Sequence, residues 1–371
     1  MLRRIVCSVG ILMTMGGYAC GQAPAHKSGP WVLEQSGTTA SLRGVHSLGG
    51  GVAWASGADG TILRTEDGGY EWQGCAVPEG GEKLDFRGIW AWDANNAIVM
   101  ASGAGDASRV YRTTDGCSHW SQVLADPDTK GFFDAIFFTS RQVGYLLGDP
   151  VDGAFPLFRT ADGGATWTRI ESKGLATAAQ GSAAFAASNS VLTAAGTGAE
   201  ARVWFVTGGE GGAFIYDGTT GCSSDGEGSA EPGCLNRWNF QRTALPMAGD
   251  SASSGPFSLW LVCWNVRVKS GVVVGGDYTK ADEATGTSVW APDGKKWAPS
   301  EKPPHGYRSG VTWDADLDAW IAVGTNGSDV SWDGGRHWKS LDEGDWNALS
   351  LPFVVGAGGK IGKINLDDLH K

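Results

Sequence analysis

One short phrase recurs along this chain, and it constrains the fold more than any other feature. It reads TEDGGYEW at 65–72, TTDGCSHW at 113–120, TADGGATW at 160–167 and SWDGGRHW at 331–338. In each copy an Asp-Gly pair is followed by a Trp: Asp67 by Trp72, Asp115 by Trp120, Asp162 by Trp167 and Asp333 by Trp338. A spacing of roughly 40–50 residues between such copies is the period of a propeller blade. The Asp is expected to open a tight turn, with its carboxylate accepting backbone N–H groups. The Gly supplies positive φ, and the Trp packs between sheets. A structural role is thus assigned to these four carboxylates and four indoles.

Between the copies, period-2 alternation of β-branched and aromatic residues predicts strands. LRGVHSL, GVAWAS, GTILRT and EWQGCAV form a first set of four, and DFRGIWAW, AIVMAS, SRVYRT and HWSQVL a second. FFDAIFF, VGYLLG, PLFRT and TWTRI form a third. Degenerate sets follow: SAAFAA opens the fourth, FSLWLV the fifth, a stretch near residue 307 the sixth and ALSLPFV the seventh. The seventh lacks an outer strand. Trp31-Val32-Leu33-Glu34 reads like the strand that follows each Asp-Gly turn, so the N-terminal strand is expected to complete the last blade. Closure of this kind removes two exposed sheet edges. The expectation is an all-β chain: a seven-bladed β-propeller of four-stranded antiparallel blades, forming one domain over residues 26–371. The 58 Gly suit its many tight turns, and Trp at seven equivalent places explains much of a count of 18 without invoking carbohydrate.

Residues 1–25 read as a signal peptide and linker. Arg3 and Arg4 precede an apolar stretch, Ile5 to Gly17, too short to span a bilayer. Two endings are open: Cys20 as a lipidated first residue, or cleavage at a small-x-small site that releases a soluble protein. The expected location is periplasmic, secreted, or attached to the outer membrane as a lipoprotein, with membrane contact only through a lipid at Cys20. Export permits disulfides. Cys222 and Cys234 bracket a polar Gly/Ser-rich excursion that a bridge would staple, and Cys75 and Cys117 stand at nearby points of successive repeats. No CxxC occurs and the six His show no ligand spacing, so neither a metal nor a cofactor is expected. The net charge of −11 argues against nucleic acid as a partner.

The repeated phrase resembles the Asp-box, or bacterial neuraminidase repeat, found in sialidases, some endo-glucanases and non-enzymatic propellers. With R-T-x-D-G-G-x-x-W recurring and no inserted domain, the chain is most similar to propellers of the photosystem II assembly and stability factor kind. That resemblance implies a scaffold that binds a protein. The Arg-Ile-Pro motif of the sialidase family does not occur, which speaks against sialidase activity.

Chain direction places the starts of the innermost strands on one face, opposite the Asp-Gly turns. These starts are Arg43, Arg87, Asp134, Ser182, Ser258, Arg308 or Ser309, and Asn347. Of these, Arg43, Arg87, Asp134, Arg308 and Asn347 are the predicted ligand-binding residues, because the planar fork of Arg suits a carboxylate or phosphate. The loops after the second strands add Asp149 and Asp152, and Asp277 with Tyr278, to the same face. Those four are candidates for catalysis of glycoside hydrolysis, which needs two carboxylates about 5–10 Å apart. The leading expectation is a monomeric, non-catalytic propeller that binds a protein, an anionic small molecule or a glycan through this face. Glycoside hydrolysis is the alternative.

Overall fold

The computed structural model describes residues 29–170, 178–220, 235, 237–264 and 266–369. The N-terminal leader with Cys20, and the Cys222–Cys234 pair, fall outside the described residues. Seven antiparallel sheets form one ring. The innermost strands contact one another in sequence order, and the seventh returns to the first. Blade one consists of Leu42–Gly49, Val52–Gly57, Ile62–Thr65 and Gln73–Gly74; blades two and three repeat this plan.

The ring closes as the sequence implies. Trp31–Glu34 pairs with Ile361–Ile364, Trp31 opposite Ile364 and Glu34 opposite Ile361. Ala348–Ser350 and Phe353–Val355 complete that sheet. The Trp31 indole N–H donates to Ser328 Oγ of blade six at 2.9 Å, which anchors the joining strand to a second sheet. The core lies between the blades. Fully buried Trp54, Trp320, Tyr145 and Phe133 fill the gaps from neighbouring sheets.

The four Asp-Gly turns share one hydrogen-bond scheme. Thr65 Oγ1 donates to Asp67 Oδ1 at 2.8 Å and accepts from the Gly69 N–H, while Asp67 Oδ1 also accepts from the Glu71 N–H. The scheme recurs at Thr113–Asp115, Thr160–Asp162 and Ser331–Asp333. The hydroxyl that begins each phrase, to which the sequence reading gave no role, is half of the device. The Trp that ends each phrase is not equally placed: Trp72 and Trp338 are buried, whereas Trp120 and Trp167 are only half-buried.

Blade four departs from expectation. Its inner strand is not SAAFAA but two pieces, Ser182–Ala183 and Leu192–Ala195, both paired with Arg202–Gly209. The intervening residues leave the sheet and cross the centre of the ring. Ala186 carbonyl accepts from Arg87 of blade two, and Asn189 exchanges two hydrogen bonds with the Ile136 backbone of blade three. Ser190 bonds Ser258 of blade five, and Ser188 Oγ donates to the Ser309 carbonyl near the start of blade six. Asn189 holds φ of +64°, a left-handed conformation that Asn tolerates better than most residues. The segment turns the mouth of a channel into a closed cup.

Cys75 and Cys117 form a disulfide, with Cα atoms 5.4 Å apart. Among the described residues no helix is long and apolar enough to cross a membrane.

Candidate functional site

The cup is a cavity of about 520 Å³ at the centre of the face opposite the Asp-Gly turns. Its wall includes Arg43, Arg87, Asp134, Asp149, Tyr278 and Asn347. Six of the residues read from sequence thus meet in one place, from blades one, two, three, five and seven.

Three others lie elsewhere. Arg308 is fully buried, and its Nε donates to Asp329 Oδ2 at 2.7 Å while its Nη1 donates to Asn326 Oδ1 at 2.5 Å. Ser309, one residue on, takes its place on the cup wall. The expected trio of arginines is therefore a pair in the cup and a structural ion pair beside it. Asp277 lines a separate hollow, where Thr279 hydroxyl and backbone N–H groups hold its carboxylate below the usual range. Asp152 sits at φ of +51° on an exposed turn. Asp149 and Asp277 occupy matching places in sequence, yet they do not share a cavity.

The two arginines of the cup differ. Arg87 Nε donates to Asp85 at 2.7 Å, and its Nη1 reaches Ala186. Among the described residues Arg43 has no ion-pair partner, and its buried Nε makes no hydrogen bond. Burial, and then the positive charge of Arg87, hold its pKa below the ordinary guanidinium value. Asp85 attracts Arg43 without outweighing its burial, so a ligand anion would find much of the desolvation already done.

The carboxyl groups face the opposite problem. Asp134 is wholly buried, and neither of its oxygens has a hydrogen-bond partner. Burial, reinforced by Asp149, raises its pKa well above the usual carboxylate range, against the pull of Arg87. Asp149 accepts the Ala184 N–H at 2.8 Å, and burial brings it to about 6. Asn347 donates to the Leu42 carbonyl at 2.8 Å and so ties blade seven to blade one at the rim.

Sequence reasoning missed the aromatic side of the cup. Phe185, carried in by the crossing segment, stacks on Phe257 with centroids 4.0 Å apart. Tyr307 packs edge-on against Phe257 at 4.8 Å. Tyr278 is half exposed beside them. The only available signal was Ser188-Asn189-Ser190, a polar triplet that interrupts an apolar alternation. No group of three or more His, Cys, Asp or Glu with metal-binding geometry occurs among the described residues.

Fold and site together define a seven-bladed propeller whose closed centre is a charged, partly aromatic cup. Solved structures with this fold include YCF48 bound to D1 peptide, at 15% identity and a TM-score of 0.57, covering 92% of this chain and 98% of that one. YCF48 from Cyanidioschyzon merolae is similar at 16% identity and 0.56, over 91% of this chain and 99% of that one. A GH74 xyloglucanase from Xanthomonas campestris is similar at 16% and 0.57, over 91% of this chain and 54% of that one. No protein-family model matches the chain, and no curated protein matches its sequence.

Proposed function

We propose that this chain is an exported, non-catalytic propeller that holds a protein segment or an anionic group in its central cup, as a scaffold or assembly factor does. The observation that carries the reading is Arg43: a largely buried guanidinium whose Nε makes no hydrogen bond, beside Arg87 in a cavity of about 520 Å³. Guanidinium–carboxylate pairing supplies both the energy and the direction of such capture. The fold shared with YCF48, which is seen bound to D1 peptide, supports a protein segment as occupant. The Cys75–Cys117 disulfide supports an oxidising compartment and hence export.

Glycoside hydrolysis fits less well, although a GH74 enzyme shares the fold. It requires two facing carboxyls whose pKa values are pushed apart. Here Asp134 and Asp149 are both pushed up, and Asp277 lies in another hollow.

The test is binding of a panel of fluorescent acidic peptides to the full chain, each compared with its Asn/Gln counterpart. At least a tenfold preference for the acidic member is expected, lost in Arg43→Ala/Arg87→Ala at an unchanged melting temperature. Equal binding of the two members, or undiminished binding by the double variant, overturns the reading.

A further inference from the structure

The cup carries charges of both signs, and an anion answers only one of them. Its wall holds Arg43, whose buried Nε makes no hydrogen bond, and Arg87. The same wall holds Asp134, which is 0% exposed and has no hydrogen bond to either oxygen. Native proteins seldom leave a buried carboxyl without any partner, because the desolvation cost is high. The adjacent Asp149 uses one oxygen on the Ala184 N–H. An anion alone satisfies Arg43 and leaves Asp134 as it was.

We infer that the cup recognises a zwitterionic group: a carboxylate seated on Arg43 and Arg87, joined to an ammonium or guanidinium that donates to Asp134 and Asp149. This rests on the anion-binding reading above and extends it by the second charge. A peptide segment that carries an acidic and a basic side chain close together has this chemistry, as does a free amino acid. The stacked Phe185 and Phe257 line the same cavity and would take the methylene chain between the charges.

Proton linkage gives the inference a signature of its own. The groups facing Asp134 are Asp149 on its own blade and Arg87 on blade two. A cation beside Asp134 favours the ionised carboxyls, so binding releases protons. An anion there would do the reverse.

The probes are ω-amino acids of two to six carbons, each compared by calorimetry with the matching carboxylic acid and the matching alkylamine, at pH 6.5 in phosphate and in Tris. At least one amino acid is expected to bind tenfold or more tightly than both of its single-charge counterparts, with net proton release. Asp134→Asn should remove that advantage and the proton release. Its melting temperature should not fall, since the amide replaces a buried, unpartnered acid of the same shape. If the carboxylic acids bind and no amino acid binds better, the zwitterion inference is wrong and the anion reading stands. If neither kind binds, or if Arg43→Ala leaves both unchanged, the anion reading fails as well.

Discussion

The sulfur of Cys117 is bonded to that of Cys75, so the turn of blade two is tied to the outer edge of blade one. Cys117 holds φ of +66° at the place where Gly69, Gly164 and Gly335 stand in the other three turns. A side chain there is strained, and the bridge is what it offers in return. Closing 42 residues between the cysteines stabilises by roughly 4 kcal/mol in the chain-entropy account. Cys75→Ser is expected to lower unfolding stability by about that amount. Adding Cys117→Gly should return about 1 kcal/mol, because the turn regains the residue its backbone prefers. Urea unfolding of the two variants measures both steps.

The half-burial of Trp120 and Trp167 sets them apart from Trp338, which is 2% exposed and donates to the Gly335 carbonyl. Trp338→Ala should cost about 3–5 kcal/mol, as truncation of a buried aromatic does. Trp120→Ala and Trp167→Ala should each cost clearly less. Equal losses in thermal unfolding would show that the repeated Trp acts by position rather than by burial.

Arg308 and Asp329 are each almost completely buried and bonded to one another. Removing either strands a charge in the core, at about 3–5 kcal/mol. Arg308→Ala should therefore fail in stability, with a cooperative transition at much lower urea. Arg43→Ala should keep its transition and lose ligand instead. The two arginines look alike in sequence, and this contrast separates them.

That separation marks how far the sequence could be read. Blade number and closure were legible because period-2 alternation and a recurring turn are local signals, and because Trp31 repeats the pattern of the outer strands. The innermost strand of blade four was not, since SAAFAA alternates acceptably and only contacts with other blades, such as those of Asn189 with blade three, draw it out of the sheet. The rim of the cup followed from chain direction, which brought in Arg43, Arg87, Asp134 and Asn347. Arg308 did not follow, because its pairing with buried Asp329 turns it into the core and leaves Ser309 on the cup wall instead. That Asp134 is left without a partner is a property of packing, which no single sequence displays.

Stability should also depend on pH through Asp149. Its folded pKa of about 6 lies above the ordinary carboxylate value, so the folded state binds the proton more tightly than the unfolded chain. Stability is then highest below the unfolded pKa and falls as pH rises through the window from about 4 to about 6, by up to about 3 kcal/mol for this group. Asp134 acts in the same direction. Asp149→Asn retains an acceptor for the Ala184 N–H, so it should flatten the dependence and be the more stable protein at pH 7.5. Urea midpoints of both proteins at pH 4.5 and 7.5 are the check; an unchanged slope in the variant would assign the effect elsewhere.

The sheet shared by Trp31–Glu34 and Ile361–Ile364 sets an order of events during synthesis. The first of these segments leaves the ribosome long before the second, so one half of the joint must wait for the other. Throughout that interval Trp31–Glu34 is a strand without its partner, open to pairing with other chains. A nascent chain can build its middle blades as they emerge, but the ring becomes a ring only after Ile361–Ile364 has been made. Whatever keeps Trp31–Glu34 occupied or apart in the meantime decides how much of the protein reaches its closed form.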